Sequence, residues 1–113
     1  MSKDKLFENA VLIEDDQAHA MLIKRALRDF VATVTHYEAL QPALEAFAAP
    51  APSPDVIITD LNLPDTYGSG HVEKLKSRVP HTPIVVLTSS TALEDGVAAM
   101  KLGAHDFIVK NFE

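Results

Sequence analysis

Four short runs, at 10–13, 56–58, 84–87 and 107–109 (AVLI, VII, IVVL and FIV), are apolar at every position. A strand wetted on one face alternates apolar with polar residues, so the unbroken runs at 56–58 and in 84–88 mark strands covered on both faces. Helical patterns lie between these runs. Residues 17–30 carry Leu22, Ile23, Ala26, Leu27 and Phe30 at the spacing of one helix face. Residues 31–35 alternate as a strand would, and Pro42 suits the first turn of a helix at 41–48 that turns Leu44 and Phe47 inward. The prolines of AAPAPSP at 48–54 cannot continue a helix or join a central ladder, so this stretch is a connection. Residues 55–60 form the next strand, and Pro64, Gly68 and Gly70 punctuate the loop after it. A third helix is expected at 69–79. TALE at 91–94 is a capping-box pattern opening a fourth, which runs to Leu102 and stops at Gly103. Strands joined by crossovers of this length run parallel, and helices must cover both faces. The expectation is an α/β fold with an open, doubly wound sheet whose sites lie at the carboxyl ends of its strands.

The 113 residues suit one domain, and a net charge of −6 argues against a general nucleic-acid binder or an anionic membrane surface as partner. Without cysteine there are no disulfides or thiolate metal sites, and a reducing cytoplasm fits. No run approaches the roughly 20 apolar residues of a membrane span, and MSKDKLFENA lacks a signal-peptide core.

Four of the expected strands end in polar groups: Glu14 and Asp15 after the first, Asp60 at the third, Thr88 at the fourth and Lys110 at the fifth. Any one of these has an ordinary explanation as a helix cap or a solvated side chain. Their coincidence on one sheet edge is the stronger signal. Crowded carboxylates repel unless a cation is present, and an open all-oxygen site suits Mg²⁺ (or Mn²⁺). Beside such an ion a carboxylate can attack phosphorus, while the lysine and the hydroxyl bind phosphoryl oxygens. The five histidines (19, 36, 71, 81, 105) show no metal-ligand spacing, and Met21 and Met100 read as core or helix-surface fillers.

VLIEDD, VIITDLNLP, IVVLTSS and GAHDFIVK, in this order, resemble the receiver domain of two-component response regulators over nearly the whole chain. The resemblance implies a flavodoxin-like five-stranded parallel sheet of order 2-1-3-4-5. It also implies that Asp60 is the phosphoacceptor and that Glu14, Asp15, Asp60 and the Asn62 backbone carbonyl hold the metal. Thr88 would be the switch hydroxyl, Lys110 the phosphate-binding cation and Phe107 the aromatic switch position, with Asn62 and Ser90 tuning phosphoryl lifetime. Such a domain is a signalling switch that catalyses only its own phosphoryl transfer and dephosphorylation. Its partners would be a histidine kinase or phosphotransfer protein and a downstream effector or output domain. The alternative is a receiver-like interaction module that works without phosphate. An aspartyl-phosphate phosphatase would want a second Asp where Asn62 stands, and a flavodoxin would want a phosphate loop where EDDQAHA stands.

Two features depart from the family. Asn111 follows Lys110 where relatives carry proline, so a trans bond or a strained loop is expected there. No residues remain for a fifth helix, so residues 1–113 are expected to be a receiver domain truncated before it. The fifth strand would then be an uncovered edge, and a homodimer through that face is the expected consequence.

Overall fold

The computed structural model describes residues 5–48, 52–67, 70–89 and 92–110. Along the chain run β1 (Phe7–Ile13), α1 (Gln17–Leu27), β2 (Val31–Tyr37), α2 (Leu40–Ala48), β3 (Val56–Asp60), β4 (Asn62–Leu63), β5 (Thr66–Tyr67), α3 (His71–Arg78), β6 (Ile84–Thr88), α4 (Leu93–Lys101) and β7 (Asp106–Val109). The main sheet is five-stranded and parallel, in the order β2-β1-β3-β6-β7, which is the expected 2-1-3-4-5 once the short β4-β5 hairpin is set aside. The expected loop after β3 holds that antiparallel hairpin, with Pro64 and Asp65 at its turn.

Side-chain alternation sorts the strands' residues onto two faces. Val11, Ile13, Ile57, Ile84 and Val86 pack with Leu40 and Leu44 of α2, Val72 and Leu75 of α3 and Ala99 of α4. Leu12 and Leu87 pack with Ala20 and Ile23 of α1 on the other face. There the cover thins toward the β7 edge: Val85 and Ile58 are half-buried and Ile108 is 53% exposed.

Helix α1 departs from its expected face. It buries Ala20 and Ile23, with Leu27 partly covered, whereas Leu22, Ala26 and Phe30 are exposed. A single helix on a sheet buries only a narrow stripe, and Leu22 and Ala26 lie about 100° round from Ile23 and Leu27. Phe30 falls beyond the helix, which ends at Leu27.

Two carboxylates extend the elements beyond what periodicity indicates. Asp55 accepts from the backbone N–H groups of Glu8 and Asn9 (2.8 and 3.0 Å), which helps carry β1 back to Phe7. Asp65, at the hairpin turn, accepts from those of Leu40 and Gln41 (2.9 and 2.7 Å) and so caps α2 from outside it. Helix α4 closes as expected. Gly103 has φ +117°, Ala104 N–H bonds to Ala99 O (3.0 Å) and Gly103 N–H to Met100 O (3.2 Å), the paired bonds of a Schellman end. Thr91, from the expected capping box, and the Lys110–Asn111 bond lie outside the described residues.

Candidate functional site

Strand register brings the polar residues together. Ile13 pairs with Thr59, so Glu14, one residue on, comes level with Asp60. Asp60 pairs with Leu87, and Thr88 with Val109, which puts Lys110 just past the same edge. A backbone bond from Lys110 N–H to Thr88 O (2.6 Å) fixes the lysine to β6.

The Lys110 ammonium donates to Glu14 Oε1 at 2.9 Å and to Asp60 Oδ2 at 2.7 Å. The remaining oxygens are also held. Glu14 Oε2 accepts from Asp16 N–H (3.1 Å) and Asp60 Oδ1 from Asn62 N–H (3.0 Å). Glu14 is fully buried, and burial pushes its carboxyl above the usual range despite the bonds from Lys110 and Asp16. Burial also disfavours the charged Lys110, but its hydrogen bonds to Asp60 and Glu14 outweigh that and raise its pKa. The exposed Asp15 completes a cluster in which one oxygen each from Glu14, Asp15 and Asp60 lies within 4.8 Å of the others. An all-oxygen donor set, with a buried carboxylate that one ammonium only partly compensates, fits a hard divalent cation.

Thr88 is 3% exposed, but its hydroxyl donates to Ala92 O at 2.8 Å, at the start of α4. It therefore serves the β6–α4 connection in this state. Phe107 is half-buried beneath α4, so close that a Cβ on Gly96 would lie 2.7 Å from its ring. Ser90 lies outside the described residues.

A cleft of about 210 Å³ opens beside Asp60, lined by His19, Asp60, Asn62, Ser89 and Lys110. Motif spacing did not single out His19. It sits three residues beyond Asp16, whose side chain caps α1 by accepting His19 N–H (3.0 Å), and that D-x-x-H step at a helix start was the available signal. A second histidine is also hidden by spacing alone. His71, at the start of α3, is 1% exposed, its Nε2 lies 3.4 Å from Thr59 Oγ1, and burial lowers its pKa. The Thr59 hydroxyl in turn donates to Asp60 O (2.9 Å), so this pair braces the backbone behind the site.

The family model described as the response regulator receiver domain matches residues 10–113. The chain is 30% identical to the DNA-binding transcriptional regulator NtrC of Escherichia coli (strain K12) over 102 residues, 90% of this chain and 21% of that protein. It is 34% identical over 104 residues to the KDP operon transcriptional regulatory protein KdpE of the same organism, 92% of this chain and 45% of that one. The chain thus spans a fifth to under half of these relatives. Among solved structures, the phosphorylated cyanobacterial phytochrome response regulator RcpA superposes with a TM-score of 0.78 at 28% identity, covering 93% of this chain and 81% of that one.

Proposed function

The chain belongs to the response regulator receiver domain family, and from that premise we propose that it takes a phosphoryl group onto Asp60 and uses it to switch an interaction surface. The carrying observation is the Lys110 ammonium held between the Glu14 and Asp60 carboxylates at the shared strand edge. Catalysis of phosphoryl transfer is chiefly positioning and charge neutralisation, and this cluster supplies both. Glu14, Asp15 and Asp60, with the Asn62 carbonyl, would hold Mg²⁺ or Mn²⁺, which when bound neutralises the carboxylates and the incoming phosphoryl oxygens. An Asp60 oxygen attacks phosphorus in line; the new O–P bond forms as the donor's bond to phosphorus breaks and its electron pair leaves with the donor. Lys110 then shifts from the Asp60 carboxylate to a phosphoryl oxygen. The similarity to RcpA, solved in a phosphorylated form, supports this reading.

The switch follows from the Thr88 bond. To reach the phosphoryl group its hydroxyl must leave Ala92 O, which frees the start of α4. The helix presents Leu93, Val97 and Met100, all exposed, and rests on Phe107 through Gly96. These residues form the surface whose population shifts. The donor is a histidine kinase or a phosphotransfer protein, and the surface is read by an effector or output domain, as the regulators NtrC and KdpE suggest. The half-buried Ile58 and Val85 beside exposed Ile108 favour a second copy of the chain as cover for that face. Labelling with acetyl phosphate tests the central step: incorporation that requires Mg²⁺ and stops on chelation is expected, and no incorporation with Mg²⁺ present contradicts it.

A further inference from the structure

The other edge of the sheet, at β2, carries a groove of about 370 Å³ between that strand and the last turns of α1. Buried Val31 and half-buried Val34 form its floor, and the exposed Lys24, Arg25 and Arg28 stand on its rim. Three of the chain's 10 lysines and arginines thus meet on a molecule of net charge −6, and none of the described residues lining the groove is acidic. Among the described residues none of the three cations enters an ion pair. Strand β2 has one neighbour, β1, so its outer side presents backbone groups that no strand satisfies. Tyr37 O accepts from Glu14 N–H at 2.9 Å, so Thr35 and Tyr37 turn their backbone groups to β1 while Val34 and His36 turn theirs outward.

We infer that this groove docks an extended segment of a partner protein that carries a carboxylate at every second residue and lies as a further strand along β2. The spacing fits. Lys24 and Arg28 stand about 6 Å apart along the helix axis, and side chains on one face of a strand recur at about 6.6 Å. Carboxylates on that face meet the cations, and the alternate side chains meet Thr33 and Thr35, both exposed on the opposite face of the edge. Pairing β2 with β2 of a second copy would set these cations against their own kind, so the occupant is a different, acidic chain. The groove lies at the far end of the sheet from the acceptor: Val31 pairs with Phe7 where the strands begin, whereas Asp60 closes β3. A partner held there leaves Asp60 accessible, so the docking site stands whether or not Asp60 is the phosphoacceptor.

The probe is a capped, fluorophore-labelled synthetic peptide of about eight residues alternating Glu and Thr, titrated with the chain while its anisotropy is followed. Saturable binding that weakens with added salt is expected, with slower amide hydrogen exchange at Val34 and His36. Lys24→Glu combined with Arg28→Glu should weaken binding about tenfold. That double variant should instead take a peptide alternating Lys and Thr, a reversal of preference that a merely structural role for these side chains would not give. A peptide of the same composition with its glutamates in one block should bind more weakly than the alternating one. Absence of saturable binding, equal binding of the block peptide, or indifference to the charge reversal overturns the inference. Binding of phosphatidylserine vesicles in place of the peptide would make the groove a lipid contact and overturn it as well.

Discussion

Lys110 carries the account at the scale of single residues. Removing its ammonium leaves Glu14 and Asp60 facing each other at a buried edge, and an uncompensated buried charge costs about 3–5 kcal/mol. Solvent at the cleft mouth moderates this, since the Lys110 side chain is 13% exposed, so about 2 kcal/mol is expected for Lys110→Ala. Urea unfolding with and without Mg²⁺ checks it: the variant should gain more from Mg²⁺ than wild type does, because the cation then compensates the carboxylates alone. Equal gains would mean the carboxylates do not share a cation site. Asp60, Glu14, Thr88 and Lys110 were legible in sequence because each is a polar residue closing an apolar strand. The partner of Thr88 was not, because a hydroxyl's bond to Ala92 O depends on loop geometry that no spacing encodes. His19 escaped for a related reason: it lines a cleft that only the fold assembles, whereas spacing along the chain reveals only histidines paired with one another.

Among the elements, α2 depends on a residue outside it. Asp65 holds the Leu40 and Gln41 N–H groups, and although burial opposes its charge these bonds keep its carboxyl below the usual range. A depressed folded-state pKa stabilises above the unfolded value of about 3.9, and the contribution fades as pH falls through the folded one. Asp65→Ala should therefore cost about 1 kcal/mol at pH 7, and the gap to wild type should close below about pH 4. Thermal melts of both proteins across that range check it; a gap that persists in acid would show that something other than the ionised cap is lost. Neither this clamp nor the hairpin that presents it was legible, because Pro64 and the nearby glycines signal a turn without saying which strands pair across it. The unbroken strands β1, β3 and β6 and the Gly103 stop were legible because burial on both faces and a positive φ leave direct marks in residue type, whereas the apolar run of β7 leaves Ile108 53% exposed. The face of α1 was misjudged because Leu22 and Ala26 are apolar without being inward.

At the scale of the whole molecule, alternating strands and helices carry enough information for a doubly wound parallel sheet, because parallel crossovers leave few topologies open, while its strand order followed from the family resemblance. Among the described residues no helix is long and apolar enough to cross a membrane. The apolar surface at the β7 edge is where the proposed second copy would dock. Light scattering should give a mass that rises with concentration toward a dimer, and Ile108→Lys should return it to a monomer. A concentration-independent monomer in wild type would remove the second copy from the account. The central claim is that Asp60 is the phosphoacceptor, and wild type and Asp60→Asn incubated side by side with acetyl phosphate and Mg²⁺ test it most directly. One phosphoryl group per wild-type chain and none on the variant is the expected result; a variant that still takes up label would place the acceptor elsewhere and contradict the account.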